Sequence, residues 1–125
     1  MIVKNIGAIL IWSENWRTLA DWYRDILELE IDSELDLPDD TGVNFMVNDT
    51  YFWVGAHDGV HGNNKDKYRI MVGFDVDSVK ETFEKLSAKG VKFIKEPGKS
   101  PDESFYVATA EDPEENIIQF YSNEL

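Results

Sequence analysis

The 125-residue chain contains no cysteine. This absence excludes a disulfide framework, a thiolate metal site and a cysteine nucleophile. Basic residues are also scarce, since 12 lysines and arginines face 25 aspartates and glutamates and leave a formal net charge of −13. Phosphate groups repel such a surface, so we expect neither nucleic acid nor an anionic membrane among the partners.

Long hydrophobic runs are absent too, since no run approaches the roughly 20 residues of a membrane-spanning helix. The segment Met1-Ile2-Val3-Lys4-Asn5 does not have the pattern of a signal peptide. We therefore expect a cytoplasmic protein. The chain does contain 42% hydrophobic and 13% aromatic residues, which is enough for one sizeable core.

Two segments have the periodicity of amphipathic helices. The first begins near Ser13 or Asn15, and its apolar residues recur at helical spacing from residue 16 to residue 27. In the second, Ser78 and Glu81 have the spacing of a capping box, and Gly90 is a natural stop. This second pattern predicts a helix over residues 79–89.

Strand-like runs surround both helices, at residues 6–12, 30–35, 41–47, 51–56, 68–76, 91–95, 105–110 and 117–121. Turn signals such as Pro97-Gly98 separate them. The order of one strand, one helix and three strands occurs twice, and a shift that carries Ala8 onto Met71 superposes both patterns. The sequence therefore predicts an α+β protein of two tandem βαβββ modules, at about residues 5–58 and 67–123.

In each predicted module the helix covers one face of the sheet, and the other face needs a partner. Two such modules placed edge to edge would form a curved, half-barrel sheet with a central cup. A concave surface of this kind suits a small molecule.

Four segments then resemble a known family, in the same order along the chain: 19–27 (LADWYRDIL), 74–79 (FDVDSV), 89–93 (KGVKF) and 111–120 (EDPEENIIQF). With them the chain resembles the vicinal oxygen chelate superfamily, which includes glyoxalase I, extradiol dioxygenases and bleomycin-resistance proteins. The resemblance implies a single domain of that fold over residues 1–125, and a homodimer. Glu115 stands where the family's ending has a turn glycine, so we expect that turn to relax away from positive φ.

In metal-using members the resemblance implies ligands on the inward side of the first, fourth, fifth and eighth strands. Those positions here are Ala8, Trp53, Met71 and Gln119, and only the glutamine amide could act as a weak ligand. A catalytic divalent ion typically takes about three histidine or carboxylate ligands. We therefore expect no metal and no cofactor. A relocated site remains the alternative, built from His57, Asp58, His61 and Asp75.

Strand alternation adds neighbours to these inward positions and gives the candidate ligand-binding residues Trp12, Tyr51, Trp53, Arg69, Met71, Gln119 and Tyr121. Aromatic rings and methionine favour flat apolar or cationic ligands. The resulting hypothesis is a metal-independent small-molecule-binding protein with a sequestration or resistance-like role.

Other interpretations stay open. An enzyme of glyoxalase, isomerase or dioxygenase type would use His57 for proton transfer, because imidazole titrates near neutral pH. The inward tryptophans and methionine could instead fill a core, and Arg69 could pair with an acidic residue rather than with a ligand. The sheet edges could also serve mainly for dimerisation.

Overall fold

The computed structural model describes residues 1–125, which divide into two compact units, Met1–Gly62 and Asn63–Leu125. Each unit contains one helix and one open, mixed sheet of four strands, in the order strand, helix and three strands. The predicted α+β fold of two tandem βαβββ modules is confirmed. We call the units the first and second module, and the predicted ranges 5–58 and 67–123 lie within them.

The first module consists of β1 (Ala8–Trp12), α1 (Trp16–Asp25), β2 (Ile31–Leu37), β3 (Asp40–Val47) and β4 (Thr50–Gly55). Its strands are ordered β1-β4-β3-β2. The edge strand β1 runs parallel to β4, and the other two pairs are antiparallel.

The second module repeats this arrangement with β5 (Met71–Asp75), α2 (Val79–Ala88), β6 (Lys92–Lys99), β7 (Tyr106–Glu111) and β8 (Ile117–Ser122). Its strands are ordered β5-β8-β7-β6, again with one parallel pair, β5 with β8. The shift from Ala8 to Met71 also carries the start of α1 at Trp16 onto the start of α2 at Val79. The internal repeat therefore holds for both the first strand and the helix.

Each module has its core between the helix and one face of its sheet. In the first module the ring of Tyr23, which is fully buried, lies 5.0 Å from that of Phe52. In the second module, the ring centroid of Phe93 lies 4.8 Å from that of Phe83 in α2 and 6.2 Å from that of Phe120. Burial of one large side chain contributes about 1.5–3 kcal/mol. Both helices are ten residues long, and neither has the length and apolar character needed to cross a membrane.

The two helices begin in different ways. At α2 the Ser78 hydroxyl accepts a hydrogen bond from the Glu81 N–H at 3.1 Å, as the capping pattern predicts. At α1 the N-cap is Asn15, whose side chain makes no capping bond. Instead, the hydroxyl of buried Ser13 accepts the Asn15 N–H at 2.8 Å. The last turn of α2 ends at Ala88, one residue before the predicted end.

Two strand boundaries differ from the prediction by three residues or more. β5 begins at Met71 rather than at residue 68, because a turn precedes it in which the Arg69 N–H donates to the carbonyl of Asp66 at 3.1 Å. β6 continues to Lys99 through the segment Pro97-Gly98, for which the sequence predicts a turn. A register shift there marks a bulge, and β6 is an edge strand, where proline is tolerated.

The turn before β8 keeps a positive φ, so the predicted relaxation at Glu115 is wrong. Glu115 has a φ of 63°. The carboxylate of Asp112 fixes the turn by accepting the Asn116 N–H at 3.0 Å. The Glu115 carboxylate accepts hydrogen bonds from Asn63 Nδ2 at 2.9 Å and from Lys67 Nζ at 3.4 Å. These bonds, that from Asn63 foremost, lower the pKa of Glu115 and offset the backbone strain.

Candidate functional site

The strand register of the first module separates two sheet faces. Phe52 of β4 packs against α1, so its neighbours Tyr51 and Trp53 lie on the opposite side, which we call the helix-free face. In the parallel β1–β4 pair, Leu10 lies opposite Trp53. The helix-free face of the first module therefore carries Leu10 together with the predicted residues Ala8, Trp12, Tyr51 and Trp53.

The indole of Trp53 lies against two glycines. A Cβ atom at Gly42 would stand 2.6 Å from Trp53 Cζ2, and a Cβ atom at Gly55 would stand 2.6 Å from the same atom. Both positions must therefore lack a side chain for the ring to lie there. Trp53 is only 7% exposed, and its Nε1 is a buried donor without a hydrogen-bond partner.

Trp12 connects Trp53 to a histidine. Its ring centroid lies 6.1 Å from that of Trp53 and 5.5 Å from that of His57, with interplanar angles of 64° and 66°. These are the edge-to-face geometries that aromatic pairs favour. We call Trp12, Trp53 and His57 the aromatic patch. Tyr51, also on β4, is 42% exposed and contributes a further ring to the same sheet face.

Both histidines have partners in the loop that follows β4. His57 Nδ1 accepts the Gly59 N–H at 2.9 Å, so the neutral ring carries its proton on Nε2. His61 Nδ1 lies 3.0 Å from Glu14 Oε2, which also accepts the Gly62 N–H at 3.2 Å. These contacts order the loop.

The metal chemistry of the superfamily does not fit these residues. The positions that the resemblance assigns to ligands hold Ala8, Trp53, Met71 and Gln119. No group of three or more histidine, cysteine, aspartate or glutamate side chains could hold a metal ion. Of the residues named for a relocated site, His57, Asp58 and His61 lie in the first module and form no such group, and Asp75 lies in the second module.

The second module has a helix-free face of its own. Phe120 of β8 packs on the side of Phe93, so Gln119 and Tyr121 lie on the other side. The parallel register sets Gly73 opposite Gln119. The residues of β5 and β8 on this face are Met71, Gly73, Asp75, Ile117, Gln119 and Tyr121.

A chain of hydrogen bonds fixes two of the predicted site residues. The Tyr121 hydroxyl donates to Gln119 Oε1, and Gln119 Nε2 donates to Thr109 Oγ1 at 3.1 Å. The Tyr121 ring lies against Gly73, where a Cβ atom would stand 2.9 Å from Tyr121 Cζ. The structure therefore brings Gln119 and Tyr121 together, with the ring in a set orientation.

Arg69 has a different setting from the one that strand alternation predicted. It precedes β5, and its Nε lies 2.5 Å from Asp66 Oδ2 in an exposed ion pair. This is the pairing that the alternative interpretation described. Met71, the first residue of β5, is 42% exposed on the helix-free face.

A pocket of about 600 Å³ opens beside Tyr121, lined by Asp75, Val76, Phe105, Tyr121, Ser122 and Asn123. The rings of Phe105 and Tyr121 meet almost perpendicularly, with centroids 5.3 Å apart. Sequence reasoning placed Phe105 in a strand and gave it no role. The loop before β7 sets the direction of this ring, and strand periodicity carries no information about that loop.

Comparison with known proteins agrees with this architecture. The family model described as Glyoxalase/Bleomycin resistance protein/Dioxygenase superfamily matches residues 5–120. No curated protein matches the chain.

Solved structures share the fold at low sequence identity. A superfamily member from Sphaerobacter thermophilus is 19% identical with a TM-score of 0.77, over 98% of this chain and 99% of that one. TnmS3, an antibiotic binding protein from Streptomyces sp. CB03234, is 14% identical with a TM-score of 0.79, over 99% of each chain. A lactoylglutathione lyase from Agrobacterium tumefaciens is 16% identical with a TM-score of 0.73, over 98% of this chain and 96% of that one.

Proposed function

The chain belongs to the Glyoxalase/Bleomycin resistance protein/Dioxygenase superfamily, and from this premise we propose that it binds a small molecule without a metal ion. The observation that carries the proposal is the aromatic patch of Trp12, Trp53 and His57. Trp53 stands where the resemblance implies a ligand in metal-using members. An aromatic surface at that position supports binding by stacking and apolar contact.

The composition of both helix-free faces supports a flat apolar or cationic ligand. The first carries Trp12, Tyr51 and Trp53, and the second carries Met71 and Tyr121. Aromatic faces and thioether sulfur attract flat rings and cations. The net charge of −13 also favours a cation over an anion.

An enzyme of glyoxalase, isomerase or dioxygenase type is the alternative, and the setting of His57 gives it no support. A general base needs a free nitrogen and a group that orients the ring. His57 Nδ1 is occupied by the Gly59 N–H, and the nearest carboxylate oxygen, Asp58 Oδ1, is 3.7 Å away. That distance is too long for an orienting hydrogen bond.

We further propose a sequestration or resistance-like role, in the cytoplasm and as a homodimer. The similarity of fold to TnmS3, an antibiotic binding protein, supports the role. The family resemblance supports the homodimer, which light scattering would detect.

Tryptophan fluorescence tests the proposed binding. Replacing Trp16 and Trp22 of α1 by phenylalanine leaves only Trp12 and Trp53 to report. We would titrate this variant, pretreated with a chelator, with 2-naphthol, quinoline and 1-methylquinolinium. The last two match in shape and differ in charge. We expect saturable quenching by at least one compound, because a ligand stacked on the aromatic patch lies in contact with Trp12.

The matched control replaces Trp12 and Trp53 by phenylalanine and leaves the helix tryptophans as reporters. Their emission should respond only weakly, since α1 lies on the other side of the sheet. Binding that needs added Mn, Ni, Zn, Fe or Co would refute metal independence. No response to any compound would refute the aromatic patch as a binding surface.

A further inference from the structure

The pocket beside Tyr121 has two aromatic walls at right angles. The ring centroids of Phe105 and Tyr121 are 5.3 Å apart, and the interplanar angle is 88°. Two perpendicular rings present their electron-rich faces to a guest in the corner from two directions. Such faces attract cations within about 6 Å of the ring centroid.

Hydrogen bonds hold the ring of Tyr121 and the backbone of Phe105. Tyr121 is held by its hydrogen bond to Gln119 and by contact with Gly73. The backbone of Phe105 is held by Ser100, whose N–H donates to the Phe105 carbonyl at 2.8 Å and whose hydroxyl accepts the Phe105 N–H at 3.3 Å. Preorganised walls spare a ligand part of the entropy cost of ordering side chains.

The loop that carries Phe105 is itself organised around one carboxylate. Asp102 accepts hydrogen bonds from Ser104 Oγ at 2.6 Å, from Ser104 N at 3.1 Å and from Ser100 Oγ at 2.8 Å. These bonds, with those from Ser104 the largest contribution, lower the pKa of Asp102. At neutral pH the Asp102 carboxylate therefore stays charged and keeps these hydrogen bonds, which hold the loop that carries Phe105.

A third side of the pocket carries a carboxylate with no protein partner. Asp75, the last residue of β5, is exposed, and its side chain forms no salt bridge or hydrogen bond. No lysine or arginine lines the pocket. The negative charge is therefore left for a ligand.

From these features we infer that Asp75, Phe105 and Tyr121 form a site for an organic cation, a quaternary or alkylated ammonium group held between two rings and a carboxylate. The inference rests on the proposed function, because it names the ligand class that the protein would bind. One carboxylate is too few for a divalent metal, which requires several oxygen or nitrogen ligands. An inorganic anion would meet Asp75 unfavourably.

Choline and its neutral isostere 3,3-dimethyl-1-butanol test this site, because they differ in charge and hardly in shape. We would titrate the ¹⁵N-labelled chain with each and follow its backbone amide shifts. Choline should shift the amides of residues 75, 76, 105, 121, 122 and 123. We expect it to bind at least about threefold more tightly than the isostere, as a solvent-accessible cation–π site predicts.

Variants separate the local carboxylate from the overall charge. Asp75→Asn should weaken choline binding about threefold or more and abolish the preference for choline over its isostere. Asp77→Asn makes the same charge change two residues away at an exposed position outside the pocket, and it should bind nearly as the parent does. Phe105→Leu should weaken choline binding, with a dispersed amide spectrum confirming that each variant is folded.

Three outcomes would overturn the inference: equal binding of choline and isostere, equal losses in the two aspartate variants, or no shifts at the pocket residues. None of these would refute the proposed function if quinoline or 2-naphthol still quenched Trp12 and Trp53. Conversely, choline binding without any quenching would support this site and refute the aromatic patch.

Discussion

At the scale of single residues, Glu115 offers a test of how a turn tolerates a residue other than glycine. Glycine adopts the positive φ of this position without strain, whereas alanine pays about 1 kcal/mol or more. Glu115→Gly should therefore be more stable than Glu115→Ala by about 1 kcal/mol, since both lack the carboxylate. Urea unfolding of the two variants measures the difference, and equal stabilities would show that the turn relaxes.

Comparison of the parent with Glu115→Ala exposes the contribution of the carboxylate. Hydrogen bonds from Asn63 and Lys67 lower the pKa of Glu115. A carboxylate with a lowered pKa stabilises the fold above its unfolded pKa, and that contribution is lost as the pH falls through the folded pKa. The advantage of the parent over Glu115→Ala should therefore shrink in acid. A constant difference between pH 7 and pH 3 would contradict this assignment.

Residue-scale geometry also explains which site features the sequence could reveal. Strand alternation predicted that Trp53 and Tyr121 lie on the faces that the helices leave free. It did not predict that their rings lie against glycines, Trp53 on Gly42 and Gly55, Tyr121 on Gly73. Those contacts depend on neighbouring strands, and a single segment of sequence does not specify its neighbours.

At the scale of elements, the unequal helix starts give a matched pair. Ser78→Ala removes the side-chain bond that caps α2, together with the bond that the same hydroxyl donates to the Leu125 carbonyl at 2.7 Å, and should destabilise the protein by about 1 kcal/mol. Asn15→Ala, at the N-cap of α1, removes no capping bond and should cost clearly less. Thermal or urea unfolding of both variants checks this, and equal losses would mean that the Ser78 bond contributes little.

Element boundaries show where local patterns are sufficient. The capping box and Gly90 predicted α2 to within one residue, because both signals act within a single turn of helix. The end of β6 was missed, because Pro97 and Gly98 favour a turn locally while pairing with β7 continues through a bulge. The start of β5 was missed because the ion pair of Arg69 with Asp66 belongs to a turn that strand alternation cannot detect.

At the scale of the whole molecule, the tandem repeat was predictable because the periodicities of the first strand and the helix recur together. The pocket formed by Asp75 and Phe105 was not, because it depends on a loop organised by Asp102. Sequence periodicity thus predicts which sheet face carries a side chain, whereas the conformation of the loops decides which side chains meet beyond the ends of the strands.

The chemistry of the whole chain leads to a last prediction, on metal content. We would incubate the protein with Ni, Mn, Zn, Fe and Co, desalt it and measure bound metal by elemental mass spectrometry. Only background metal is expected, because Ala8, Met71 and Trp53 offer no ligand and no cluster of acidic or histidine side chains replaces them. Near-stoichiometric metal would contradict the proposal. His57→Ala and His61→Ala would then show whether the loop histidines hold the ion, since loss of the metal in either variant would identify that histidine as a ligand.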